Sequence, residues 1–337
     1  MKTNPPLFHA GIPRRAFLGA AGAAIAAWGT GLAQQARPAN QSPRTKGPIV
    51  WLDMDQKELD DAYDQGVYAP NQQQVQGRIR SRSAGIPLRL GPPRRLAYGP
   101  TAIEGLDVYA TDRPNAPVNV FIHGGAWRGG SARDSAFVAE VFVRAGAHSV
   151  ILDFINVAEA SGNLMTMAGQ VRRAVAWVYR NAGTFGGDPN RLFVSGHSSG
   201  GHLAGVVLTT DWRKDFSLPA DIIKGGLCGS GMFDLQAVRL SARSNYVRFT
   251  DEVEQSLSAQ RHLDLLNAPV TLVYGTFETP EFQRQSRDFA ATVKAAGKPV
   301  DLIAGEGYNH FEILETLGNP YGFMGRAALA QMKLGPA

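Results

Sequence analysis

Residues 191–205 read RLFVSGHSSGGHLAG, with Ser198 flanked by Gly196 and Gly200 in a G-x-S-x-G pattern. An apolar run precedes the pattern and small residues follow it, so a strand is expected to turn sharply into a helix at Ser198. Glycines relieve the clash of so tight a turn, and the helix N-terminus favours negative charge developing near the serine hydroxyl. A serine hydroxyl needs a base to become a nucleophile. Of the seven histidines, His310 in LIAGEGYNHFEIL lies after the last strand-like run. That is where a base following the nucleophile in chain order belongs. His197 and His202 flank the turn too closely to reach back to Ser198. A carboxylate must then hold the imidazole in one tautomer. Glu278, just beyond the run ending at Tyr274, is the first candidate, with Glu281 and Asp234 (in GSGMFDL) as rivals. The oxyanion of an acyl transfer requires backbone donors. Gly124 and Gly125 in NVFIHGGAWRGG offer a close backbone approach after a strand, and the N–H of Ser199 would complete the set. In that loop His123 is expected to brace the backbone and Trp127 to wall the substrate pocket.

Such a site needs strands that deliver these loops to one edge of a sheet. From Arg94 onward, short β-branched apolar runs recur: APVNVFI, HSVIL, RLFVSG, IKGGLCG, APVTLVYG and KPVDLIAG. Runs of this kind suit central strands buried on both faces. RRLA and GLDVYA read as an opening strand pair. Helical patterns are expected over 131–145, 164–182, 199–209, 282–296 and 321–334. Strands alternating with helices predict right-handed crossovers, a mostly parallel sheet of about eight strands and helices on both faces. Ligand chemistry then collects at the carboxyl ends of the strands. The segment WLDMDQKELDDAYDQG is expected to form one or two helical turns against the main domain.

The chain has 337 residues, 44% of them hydrophobic, which suits a globular protein with a large core and shows no repeat or low-complexity linker. Its net charge of +5 is modest, and Lys2, Arg14 and Arg15 contribute three of those charges within a leading segment that lacks acids. Nothing in that balance suggests a nucleic-acid partner. Residues 1–33 pair Arg14-Arg15 with an Ala/Gly-rich apolar stretch ending near Ala33. They read as a twin-arginine signal, implying the twin-arginine export machinery as a partner and a periplasmic or secreted destination. Residues 34–48 read as a disordered lead-in and 49–337 as the catalytic domain. With Cys228 as the single cysteine, no intramolecular disulfide or cysteine metal cluster can form. No metal or organic cofactor is expected.

HGGAW, FGGDPNRLFVSGHSSGGHLA and GYNHFEI resemble the α/β-hydrolase superfamily in its hormone-sensitive-lipase-like branch. More narrowly, WLDMDQKELDDAY, SGMFDLQAVRLSARSNYVRFTDE and TPEFQRQSRDF resemble the bacterial arylformamidase (kynurenine formamidase)-like group. The resemblance runs from Trp51 to the last helix. It implies the α/β-hydrolase fold, with Ser198 as nucleophile, Glu278 as acid, His310 as base, and Gly124, Gly125 and Ser199 as oxyanion donors. Glu278 departs from the aspartate usual in that group.

These readings predict a serine hydrolase cleaving carboxylic esters of small or aryl/apolar substrates. Hydrolysis of an aryl amide, formamide or carbamate by the same residues is the alternative. A non-catalytic binding protein on the same scaffold would be expected to lack part of the set. Pocket walls are expected from Trp127 and from residues near 154–167 and 245–249.

Overall fold

A computed structural model describes residues 45–336 of the chain. The expected signal and all but the last four residues of the expected lead-in lie outside the described residues. Those four, 45–48, are already tied down: the Gly47 N–H donates to Asp55 Oδ2 at 2.7 Å and Lys46 pairs with Glu58 at 2.9 Å.

Eight strands build the main sheet: β1 (Arg94–Ala97), β2 (Gly105–Tyr109), β3 (Ala116–Ile122), β4 (His148–Leu152), β5 (Gly187–His197), β6 (Ile223–Gly229), β7 (Val270–Gly275) and β8 (Val300–Gly305). Their spatial order is β8-β7-β6-β5-β3-β4-β2-β1. β2 runs antiparallel to both its neighbours, and the other pairings are parallel. The central runs are apolar at consecutive positions because successive side chains enter different cores. Val118, Val120, Ile122, Val150, Leu152 and Val194 join one buried cluster. Phe121, Ile151, Phe193, Leu227 and Val273, the residues between, join the other.

The helices cover both faces. The principal ones are α1 (Gln56–Ala62), α2 (Gln72–Leu90), α3 (Ala139–Ala145), α4 (Leu164–Asn181), α5 (Ser199–Leu208), α6 (Pro280–Ala295), α7 (His310–Glu315) and α8 (Phe323–Gln331), and short helices lie between α5 and α6. α4, α5 and α6 contribute to the first cluster. Ile86 of α2, together with α3, α7 and α8, belongs to the second. Every residue of α5 is buried, as a helix apolar or small on all sides must be.

Several helical expectations shift. α3 begins only at Ala139, because residues 131–135 form turns in which Ser131 and Asp134 bond each other. α6 starts two residues before the expected boundary, with the Thr279 hydroxyl capping the Phe282 N–H and Pro280 in the first turn, where its missing N–H costs nothing. α2 was not expected at all, although it is the longest helix described.

Candidate active site

Ser198 sits where β5 meets α5, with φ 60° and ψ −127°. Non-glycine residues in such regions carry strain of about 1–3 kcal/mol, tolerated where the surroundings over-determine the backbone. Here the surroundings leave no room for relaxation. A Cβ on Gly196 would lie 2.2 Å from the Gly200 carbonyl oxygen, and one on Gly200 would lie 2.1 Å from that of Ile122. The Ser198 N–H donates to the Gly229 carbonyl at 2.9 Å, tying the turn to the end of β6. Ser198 keeps 8% of its surface exposed at this carboxyl edge of the sheet.

Glu278 and His310 arrive from later connections. Glu278 follows β7 and is fully buried. His310 is the first residue of α7, whose N-terminus is fixed by a capping box between Asn309 and Glu312. The two side chains meet at 2.8 Å, with the imidazole Nδ1–H donating to Glu278 Oε2. That assignment leaves the Nε2 lone pair as the ring's basic position. The second carboxylate oxygen accepts from the Ser230 hydroxyl at 2.5 Å and from the Gly275 N–H at 2.7 Å. His310 is further boxed in by Phe282, His197 and Phe311, with ring centroids at 5.0, 4.5 and 5.4 Å.

The rivals for the acid do other work. Glu281 accepts from the Tyr63 hydroxyl at 2.9 Å and from the Arg284 fork at 2.7 Å. Asp234 pairs with Arg261 at 2.8 Å and caps the Gln236 N–H. Neither is brought to His310: the Asp234 carboxylate is paired with Arg261, and that of Glu281 with Arg284.

The loop after β3 turns through three successive positive φ values, Gly125 at 119°, Ala126 at 55° and Trp127 at 62°. At Gly125 a Cβ would sit 2.3 Å from the Gly129 carbonyl oxygen, so this turn closes on its own backbone. Gly124 packs directly on the elbow: its Cβ would lie 2.8 Å from the His197 carbonyl and 3.2 Å from Ser198 Cβ. The Trp127 N–H donates to Ser199 Oγ at 3.2 Å, joining loop and helix. As the first residue of α5, Ser199 has an amide with no partner inside the helix. Gly124 and Ser199 thus adjoin Ser198, and Gly125 is the next residue of the same loop.

His123 is buried, stacked on Phe154 with centroids 4.2 Å apart, and its Nδ1–H donates to the Gly124 carbonyl at 2.9 Å. Burial lowers its pKa. The Trp127 indole N–H donates to His202 Nδ1 at 3.3 Å, so His202 Nε2–H donates to the Leu257 carbonyl at 3.0 Å. Burial brings the His202 pKa down to about 4, and holds His197 well below its ordinary value. Phe249 meets the Trp127 ring edge-on at 6.4 Å. Ser230, Phe282 and Arg243, all near the site, carry no sequence signal. They come from separate parts of the chain, and only the fold brings them together. Among the described residues, no cluster of three or more His, Cys, Asp or Glu side chains could hold a metal ion.

The fold and the site together define an enzyme of the α/β-hydrolase type. The BD-FAE family model matches residues 106–237, from β2 through the elbow, a span that stops short of Glu278 and His310. Kynurenine formamidase of Danio rerio is 29% identical over 79% of this chain and 93% of its own length. Esterase LipC of Mycobacterium tuberculosis is 29% identical over 68% of this chain and 59% of its own length. Among solved structures, esterase LipW of Mycobacterium marinum superimposes with a TM-score of 0.62 at 18% identity, covering 80% of this chain and 90% of that one. A protein of Silicibacter sp. TM1040 reaches 0.71 at 21% identity, covering 82% and 99%.

Proposed function

We propose that the chain hydrolyses carboxylic esters through an acyl-enzyme on Ser198. The observation that carries this reading is the 2.8 Å bond between His310 Nδ1 and Glu278 at the sheet edge that also presents the strained Ser198. Ser198 Oγ attacks the carbonyl carbon while His310 Nε2 takes its proton. The carbonyl oxygen becomes an oxyanion, held by the N–H groups of Gly124, Gly125 and Ser199. Collapse expels the alcohol, which takes its proton from His310. Water then repeats the sequence to release the acid and restore Ser198. Glu278 stabilises the transient imidazolium and fixes its tautomer. Trp127 is fully buried and packs on His202 and Phe249, so the surroundings of the site are apolar and aromatic, which suits a small or aryl substrate.

A second reading is favoured by the Danio rerio relative: hydrolysis of an aryl formamide or related amide by the same residues. The two differ in leaving-group protonation rather than in the nucleophile. A binding protein on this scaffold is disfavoured, because none of the reacting groups is missing. The Arg14-Arg15 pattern supports export through the twin-arginine machinery to the periplasm. Replacing both arginines by lysine should retain the protein in the cytoplasm in a fractionation experiment.

A release assay tests the chemistry. p-Nitrophenyl acetate, butyrate and octanoate are compared with an aryl formamide and the matching anilides, with Ser198→Ala alongside. Ester turnover that disappears in Ser198→Ala is expected. Turnover confined to the formamide or anilides would replace the ester reading with the amidase one.

A further inference from the structure

Among the described residues Arg243 is the single buried lysine or arginine, at 7% exposure. Its guanidinium lies over two rings of the site, 5.4 Å from the Trp127 centroid and 5.9 Å from that of Phe282. Phe282 in turn packs on His310, and Trp127 belongs to the loop that faces Ser198. Nη2 donates to the Tyr63 carbonyl and Nη1 to the Tyr246 hydroxyl, each at 2.9 Å. Nε–H is buried without a partner. No carboxylate among the described residues lies within ion-pair distance of this cation. Glu278 is engaged by His310, and Glu281 by Arg284 and Tyr63.

A second cation stands nearby. Arg128 is exposed, follows Trp127 in the same loop, and lies 4.3 Å above the Tyr246 ring whose hydroxyl Arg243 holds. It too pairs with no carboxylate among the described residues. The nearby histidines His123, His197 and His202 add no charge at neutral pH, since burial disfavours their protonated forms.

Burying a cation without a counter-ion is costly, and folds keep such charges where a ligand completes them. A guanidinium with an unused donor on a pair of aromatic walls matches the planar geometry of a carboxylate. We propose that Arg243 is the specificity residue for a carboxylate on the substrate, with Arg128 attracting the same charge at the entrance. This rests on the ester-hydrolase reading and narrows it to esters that carry a free carboxylate beside the scissile group.

The test compares p-nitrophenyl hemiglutarate with p-nitrophenyl valerate, its neutral counterpart of similar length, on wild type, Arg243→Gln, Arg243→Lys and Ser198→Ala. Wild type should favour the hemiglutarate in kcat/KM by about ten-fold or more, a margin typical of one charge-assisted contact. Arg243→Gln should collapse that ratio, and Arg243→Lys should retain part of it. A wild type that prefers the valerate, or an Arg243→Gln variant that loses both substrates equally, would overturn the proposal. If Arg243→Gln does not fold, inhibition of valerate hydrolysis in wild type decides. Glutarate should inhibit more strongly than glutaramide, and equal inhibition would refute the role. Turnover of neither ester, or turnover surviving Ser198→Ala, would instead sink the ester-hydrolase reading itself.

Discussion

Both carboxylate oxygens of Glu278 are engaged, one by His310 and the other by Ser230 and Gly275. Glu278→Gln would put an amide N–H₂ or a carbonyl opposite Nδ1. Where the amide nitrogen faces the ring, the imidazole proton must move to Nε2, and the base is lost. We expect kcat to fall by about 10³–10⁴-fold, with the fold kept by circular dichroism. Glu278→Asp, one methylene shorter, should retain more activity than the glutamine variant in the same assay. Ser198, Glu278 and His310 were legible as candidates because each follows a strand-like run and their chain order has mechanistic meaning. Ser230 was not, because a serine in a Gly-Ser-Gly turn has no pattern that betrays which oxygen it serves. Arg243 was hidden in a motif rich in arginine, ARSNYVR, where nothing in the spacing separates a buried cation from an exposed one.

At the scale of elements, the elbow works because β3, β5 and α5 are packed backbone to backbone. In Gly200→Ala the new Cβ would lie 2.1 Å from the Ile122 carbonyl oxygen and 2.6 Å from that of His123. Neither contact can be relieved without separating β5 and α5 from the end of β3. We expect a loss of at least about 2–3 kcal/mol in denaturant unfolding together with loss of ester turnover. Unchanged stability would show that the turn is looser than the geometry requires. The parallel strands were legible because burial on both faces writes continuous apolar runs into the sequence. α2 was not, because Gly77, Gly85 and Pro87 interrupt a segment that is otherwise largely polar. Its burial rests on a few positions, Val75, Ser83 and Ile86, too sparse to register as a helical face. The turns at 131–135 have a neutral composition that suits a helix equally well, and the bonds between Ser131 and Asp134 are visible only in three dimensions.

The whole molecule carries a pH dependence in its buried histidines. His123, His148, His197 and His202 all have pKa values lowered by burial, that of His202 to about 4. The unfolded chain binds protons at histidine near its ordinary pKa of about 6.5, while the folded chain resists them. Stability is therefore fully present above that value and is lost as the pH falls from about 6.5 towards 4. The melting temperature should drop steadily between pH 7.5 and pH 5 in scanning calorimetry, and His202→Gln should reduce the slope. A melting temperature that rises on acidification would contradict this account. The central claim, that Ser198 forms the acyl-enzyme, is tested most directly by labelling with a fluorophosphonate and mapping the adduct by peptide mass spectrometry. The account predicts one adduct, on Ser198, absent in Ser198→Ala, with ester hydrolysis lost in proportion to labelling. An unlabelled Ser198 in protein that still turns over ester, or full turnover after Ser198 is blocked, would contradict it.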